Sequence, residues 1–265
     1  SSSPVSNRPS PWEERPGWEQ LTQAATGMQA RFGGEGQPVL QPFPVNDYGT
    51  GVLGAYGVLL ALHERNRTGK GQHVRSALAY TACTLQSPFF MDYAGETWDE
   101  PRGQAAVGSS PLHRLYEASD GWFFFAAQAG ELPQLAHVKG LGGVDAVDSS
   151  ALDGFLTERF KLDTAAEWVA RLTAAGAGAH RAVSVEEAMT DPWVVAHGLS
   201  ITREHDGVGL LRTNGPGQRL YRTPAVPGVP APVPGADAVS IFEEHGLADR
   251  LEALVAAGVV AVEAP

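Results

Sequence analysis

Cysteine occurs once in the 265 residues, at Cys83. No disulfide can close within the chain, no Cys/His cluster of metal-binding type exists, and no metal is expected. A lone cysteine fits a reducing compartment, the cytoplasm. Positive charge is also scarce: 19 Lys and Arg stand against 30 Asp and Glu, a net charge of −11. That balance argues against nucleic acid or an anionic membrane as partner. No apolar stretch is long enough, and clean enough of glycine and charge, to span a bilayer. The first residues, Ser1 to Pro16, are rich in serine, proline and charge and hold no signal-peptide core. An initiating methionine is missing, which points to a processed chain or a piece of something longer.

Several catalytic signatures are absent as well. There is no Gly-x-Ser-x-Gly elbow, no Gly-x-Gly-x-x-Gly after a strand and no Walker loop. Thr68-Gly69-Lys70-Gly71-Gln72 resembles a phosphate loop only superficially, because it follows a helix rather than a strand. The eight histidines show no metal-binding or triad-like spacing, and His63, late in an apolar helix, reads as structural. Apolar content of 43% with 18% charged residues suits a soluble globular protein of one large or two small domains.

Periodicity supplies the organisation. Residues 1–16 read as a flexible arm. Glu19 to Phe32 has helical spacing, with Leu21, Ala24, Ala25, Met28 and Phe32 as its inner face and Gly33-Gly34 as its stop. The run Val52 to Leu62 predicts one buried helix that starts near Asp47 and ends at Gly69. Along it Gly51, Gly54 and Gly57 form a smooth stripe that another helix or a ligand would approach closely. His73 to Leu78 predicts a short strand, and Ala79 to Tyr93 another apolar helix. Residues 94–111 turn irregular and read as a linker. Beyond it, Leu112–Ala118 and Trp122–Ala127 around Ser119-Asp120-Gly121 predict a hairpin. Helices follow near Leu132–Val138, Ala151–Phe160 and Thr164–Ala174, the last capped by Asp163. His180–Val183 predicts a strand, Ser184 to Glu187 a capping box, and Leu199–His205 with Gly209–Arg212 a second hairpin. Five prolines between Pro224 and Pro234 impose an extended chain, and two short helices near Val239–Glu244 and Asp249–Ala257 close the sequence.

Two acidic residues attract chemical interest. Asp47 lies in Pro44-Val45-Asn46-Asp47-Tyr48-Gly49-Thr50-Gly51, where a helix is about to begin. It reads as an N-cap, its carboxylate accepting free N–H groups, or as a nucleophile that a large substrate reaches over bare backbone. Glu131, near a helix start, reads as an acid/base group or as a capping charge.

Pro16-Gly17-Trp18-Glu19, Gln23-Ala24, Thr26-Gly27, Asp47 with Gly51, Leu62-His63-Glu64-Arg65 and Thr68-Gly69-Lys70-Gly71-Gln72 follow one another in an order that resembles the class III CoA-transferase family. That family includes formyl-CoA transferase, carnitine CoA-transferase and α-methylacyl-CoA racemase. Tyr116 to Gly121, Ser184 to Ala188 with Asp191-Pro192, Arg222 to Ala225 and Ala257 to Val260 continue the match, which covers roughly residues 12 to 261. The resemblance implies that Asp47 is the catalytic nucleophile of a CoA transfer between an acyl-CoA and a carboxylic acid, through an aspartyl anhydride and an aspartyl-CoA thioester. Coenzyme A is then a substrate and no cofactor stays bound. Glu19 becomes a residue supporting Asp47, and Trp18 a candidate lining residue of the acyl pocket. Gly108-Ser109-Ser110 matches a glycine-rich loop that covers the site in transferases of the family, with far less glycine. Racemase members carry a histidine where Trp18 stands. Glu131 falls near their second base, and a tryptophan cannot shuttle a proton, so transferase is preferred to racemase.

The implied fold is α/β: the mostly helical C-terminal part of a Rossmann-like large domain, plus a small α+β domain, in an interlocked dimer. Residues 17–93 would be the large-domain part with Asp47 and 112–212 the small domain. Residues 213–265 would be an extended linker with C-terminal helices returning to the large domain. The family normally begins with a Rossmann-like half that carries CoA-binding surface and that these residues do not include. A partner subunit or a preceding segment is expected to supply it, and a homo- or hetero-oligomer follows. Without it, the helices around Glu19–Phe32 and Ala79–Tyr93 would expose apolar faces. A non-catalytic structural subunit of a heteromeric CoA-transferase is the alternative, followed by an acyl-CoA racemase- or lyase-like enzyme.

Overall fold

The computed structural model describes residues 16–95 and 101–262. The expected arm lies outside these residues except for Pro16, as do residues 96–100 of the expected linker. Among the described residues no helix is long and apolar enough to cross a membrane. The chain divides into two compact units after Arg181.

The first unit opens with α1 (Glu19–Ala25) and α2 (Met28–Gly33), where a single helix was expected. Gly27, at φ +77°, turns the chain between them, and the Thr26 hydroxyl donates back to the Thr22 carbonyl at 2.7 Å. The inner face also differs from the periodic reading. Glu19, Thr22, Gln23 and Met28 are buried, while Leu21 and Phe32 are exposed. A polar network, described below, takes the place that apolar packing was expected to fill.

The helix predicted after Pro44 is present as α3 (Val45–Thr68) and ends at Gly69 with φ +74°. It is not buried: Val52 is 66% and Leu59 64% exposed. One face packs within the unit, against α4 (Leu78–Leu85) and the chain before it. A Cβ on Gly49 would lie 2.7 Å from Thr81 Cγ2, one on Gly57 2.8 Å from Val74 Cγ1, and one on Gly54 3.2 Å from Ser76 Oγ. The missing side chains let these segments meet. Gly51, by contrast, has no atom within 4 Å of where its Cβ would be, so the packed glycines are 49, 54 and 57 and not the stripe read from spacing. The expected strand His73–Leu78 is irregular chain leading into α4. The apolar helix expected to reach Tyr93 stops at Leu85 and gives way to a 3-10 turn, Ser87–Phe89, whose Pro88 has no N–H to continue the ladder.

The rest of the unit is a four-stranded antiparallel sheet in the order β1 (Gly108–Ser110), β2 (His113–Ala118), β3 (Gly121–Ala126), β4 (Gly178–Arg181). The predicted hairpin is β2–β3, in register from His113↔Ala126 to Ala118↔Gly121. The last residues of the expected linker are therefore an edge strand. Alternation sends Tyr116, Ala118, Phe123 and Phe125 to one face. After α5 (Leu132–Leu135), α6 (Leu152–Phe160) and α7 (Ala165–Ala174) supply Phe160 and Trp168 to the same core. Phe160 meets Tyr116, Phe123 and Trp168 edge-on, with ring centroids 4.9–5.0 Å apart, and its carbonyl accepts the buried Trp168 indole N–H at 2.8 Å. Thr164, not Asp163, caps α7, in a reciprocal box with Glu167. Asp163 pairs instead with Arg171 at 2.6 Å.

The second unit starts with α8 (Val185–Thr190), opened by the predicted Ser184/Glu187 capping box, and α9 (Pro192–Ala196), whose N–H groups at Trp193 and Val194 donate to Asp191. The second hairpin pairs β5 (Ser200–His205) with β6 (Gly209–Asn214). Residues 224–234 carry neither helix nor strand. The two predicted helices follow as α10 (Ala238–Glu244) and α11 (Ala248–Ala256).

Candidate active site

A helix start leaves backbone N–H groups without partners, and α3 has no side-chain cap of its own: its N-cap is Pro44. Asp47 is the third helical residue, inside the first turn, so it is not the cap that its sequence position suggested. Its backbone N–H donates instead to Glu19 Oε2 at 2.8 Å. Glu19, from the first turn of α1, thus caps α3 from outside.

Glu19 is only 4% exposed. A buried carboxylate costs several kcal/mol unless its oxygens are well partnered, and here they are. Oε1 accepts the Asn46 side-chain amide at 2.8 Å and the Gln23 amide at 2.9 Å. Gln23 is itself clamped: it donates to the Gln41 carbonyl and accepts the Gln41 N–H, both at 3.0 Å. The chain that enters α3 and the first turn of α3 are therefore tied to α1 by one network. Asn46 is a member that the sequence reading missed, as was the role of Gln23. A polar residue every few positions at an otherwise apolar helix, as with Glu19, Thr22 and Gln23, was the available signal.

The Asp47 side chain is exposed. Its carboxyl is pushed above the ordinary value of 3.8, first by partial desolvation and then by the negative charge of Glu19. The positive end of α3 acts the other way and favours the anion. Gly51 is one turn further along the same face. The space above it is open, and on the neighbouring side the Thr50 and Thr81 hydroxyls, 2.6 Å apart, lock α3 to α4. A carboxylate on a fixed backbone, beside bare glycine, is arranged to meet a large electrophile.

The other predicted residues stand differently. Trp18 is the N-cap residue of α1 and 62% exposed, so it is no core residue. Gly108, Ser109 and Ser110 form β1, pair with Arg114 and His113, and border a cleft floored by the Arg114–Asp153 ion pair. Glu131 accepts the Gln128 N–H at 2.7 Å in a reciprocal capping arrangement. Among the described residues, one hydrogen bond, from the Asp47 backbone N–H, links Asp47 with Glu19, and none links it with Trp18, Gly108, Ser109, Ser110 or Glu131.

Residues 7–238 match the model of CoA-transferase family III. The chain is 28% identical over 237 residues to the α-methylacyl-CoA racemase of Homo sapiens, covering 84% of this chain and 60% of that protein. To the succinyl-CoA:glutarate CoA-transferase of Homo sapiens it is 26% identical over 268 residues, 94% of this chain and 60% of that protein. Against the CoA-transferase/lyase DddD of Marinomonas sp. (strain MWYL1) the figures are 30% over 172 residues, 64% of this chain and 20% of that protein. The chain thus spans a fifth to three fifths of the length of these relatives. The crystal structure of a CAIB/BAIF family protein from Brucella suis has the same fold, with a TM-score of 0.70 over 89% of this chain and 65% of that one, at 24% identity.

Proposed function

The chain belongs to CoA-transferase family III, and on that footing we propose that it moves coenzyme A from an acyl-CoA thioester to a carboxylic acid with Asp47 as nucleophile. The observation that carries the reading is the exposed Asp47 carboxylate on a backbone held by the buried Glu19. An Asp47 oxygen attacks the thioester carbonyl carbon and the C–S bond breaks, giving a mixed anhydride and CoA thiolate. The thiolate attacks the aspartyl carbonyl and releases the donor acid, leaving an aspartyl-CoA thioester. The acceptor carboxylate attacks that thioester, the thiolate leaves and returns to the acceptor carbonyl, and Asp47 is regenerated. The positive end of α3 favours negative charge at these carbonyl oxygens. Glu19 serves as a positioning residue through its bond to the Asp47 N–H.

Exposed Val52, Leu59 and Leu60 on α3 support a second element of the proposal. In the working protein this face is covered by a Rossmann-like nucleotide-binding part, from a partner subunit or another segment of the polypeptide, in an interlocked dimer. Residues 17–93 belong to the large domain and 112–212 to the small one, and the protein works in the cytoplasm. Racemisation is disfavoured because Trp18 carries no titratable group and Glu131 is engaged by Gln128.

The test is a trap. The whole protein is incubated with an acyl-CoA and hydroxylamine, and the Asp47 peptide is weighed for an aspartyl hydroxamate. No adduct, with full turnover in Asp47→Ala, refutes the role. The pairing of Gly108–Ser110 into β1, where transferases have a glycine-rich loop, favours one second reading, a non-catalytic structural subunit. That reading requires Asp47→Asn to leave turnover of the assembly unchanged while loss of the chain prevents its partner from folding.

A further inference from the structure

A cavity of about 780 Å³ lies beside the first turn of α3. Met28, Phe32, Val45, Tyr48, Leu85 and Phe89 give it a mostly apolar lining, with Arg31 and Arg102 at its border and no acidic residue among the described lining residues. Its size is that of sites that enclose a sizeable small molecule, roughly 300–1,000 Å³.

The walls are built rather than incidental. Gly34 and Gly103 meet backbone to backbone: a Cβ on Gly103 would lie 2.9 Å from the Gly34 nitrogen, and one on Gly34 3.0 Å from the Arg102 carbonyl oxygen. Both have positive φ, 63° and 55°, which only glycine adopts without strain. This contact fastens the 101–106 segment to the end of α2. On another side the Arg31 guanidinium carbon lies 3.1 Å from the centroid of the Phe89 ring. On a third, Gln86 donates to the Thr26 carbonyl at 3.3 Å. The wall at Gln41 is held by Gln23, which also donates to Glu19. One amide therefore fixes both the cavity wall and the residue that holds Asp47, and Val45 and Tyr48 line the cavity from either side of Asp47 in the sequence.

We infer that this cavity receives the carbon skeleton of the transferred acyl group, so the acids handled at Asp47 are bulky and apolar, with aromatic, branched or medium-length chains. The inference rests on the transferase reading above. A formyl or acetyl group would leave most of the space to water, whereas each methylene moved from water into such a lining is worth about 0.8 kcal/mol, or about fourfold in kcat/KM.

The experiment compares acetyl-, butyryl-, hexanoyl- and octanoyl-CoA as donors for the whole protein. It is repeated in Ala106→Phe, which narrows the cavity from an exposed wall position, and in Leu85→Phe as a second filling variant. The expected result is a rise of about fourfold per methylene until the cavity is full, with the octanoyl-to-acetyl ratio falling at least about tenfold in either variant. A flat or falling series, or a ratio that neither variant moves, overturns the inference; trapping at Asp47 from acetyl-CoA would meanwhile leave the transferase reading intact. Calorimetry with octanoate gives an arm independent of turnover. Binding that Ala106→Phe weakens is expected. No binding to the unaltered protein, or a change in native mass caused by Ala106→Phe, shows that polypeptide fills the cavity and overturns the inference.

Discussion

Replacing Glu19 tests how Asp47 is held. The Glu19 carboxylate accepts three hydrogen bonds, from Gln23, Asn46 and the Asp47 N–H. Bonds to a charged partner contribute about 1.5–3 kcal/mol each, and neutral ones about 0.5–1.5 kcal/mol. Glu19→Gln keeps the shape but makes one acceptor oxygen a donor. The new amide oxygen can still accept the Asp47 N–H if its NH₂ turns towards Asn46, whose Oδ1 has no partner among the described residues and can rotate to accept it. Gln23 cannot follow, because Gln41 fixes both ends of its amide. Losing charge assistance is offset by no longer burying a charge, so stability should change by no more than about 2 kcal/mol. Glu19→Ala removes all three acceptors and should cost about 2–4 kcal/mol. The chemical signature separates positioning from mere stability. Glu19 is the second cause of the raised Asp47 value, so removing its charge moves that value part of the way down. The acid limb of kcat/KM against pH must then shift to lower pH in Glu19→Gln, while kcat at neutral pH falls about tenfold; in Glu19→Ala it falls about 100-fold as the nucleophile loses its place. Stability is read by denaturant titration and the profile by stopped turnover assays. An acid limb that stays put or moves up, or a Glu19→Ala enzyme with undiminished kcat, would falsify the positioning role.

Three further outcomes follow from the same geometry. Because the folded-state value of Asp47 is raised, the stability it contributes is present below the ordinary aspartate value and is lost as pH rises through the raised one. Asp47→Asn should therefore melt higher than the unaltered protein at pH 7, with the two curves converging below about pH 3.8, and it should transfer no CoA; equal melting at both pH values refutes the shift. Gly57→Ala should destabilise by about 1–3 kcal/mol through its clash with Val74, whereas Gly51→Ala, with open space around it, should stabilise α3 by up to about 1 kcal/mol yet lower kcat/KM by narrowing the substrate's approach to Asp47. The two denaturation midpoints moving together would contradict the packing described. Thr164→Ala should cost about 1 kcal/mol as the true cap of α7, measured by thermal melt, and more than Asp163→Asn.

Local rules were the legible part of the sequence. Both hairpins, the Ser184 capping box, the stop at Gly69 and the two C-terminal helices depend on turn residues, caps and periodicity over a few positions, and all are present. What periodicity misjudged were tertiary choices. Leu21 and Phe32 have the spacing of an inner face, yet the buried side of α1 is Glu19, Thr22 and Gln23 because Asn46 and Gln41 bring donors and acceptors to it. Val52 to Leu62 has the composition of a buried helix, but among the described residues only its glycine face is covered. At the site, the sequence singled out Asp47 and Glu19 but could not reveal that one holds the backbone of the other across 28 positions. It assigned Asp47 the cap that Glu19 provides.

The most direct measurement of the central claim uses an acceptor acid labelled with oxygen-18 in both carboxylate positions, turned over with an unlabelled acyl-CoA and the whole protein. If the acceptor attacks an aspartyl thioester, the bridging oxygen of the anhydride stays on the enzyme when thiolate takes the acyl group. Within a single turnover the Asp47 peptide should then gain the mass of one oxygen-18 exchange, absent in Asp47→Asn. Turnover that leaves this peptide unlabelled while product forms would contradict the account.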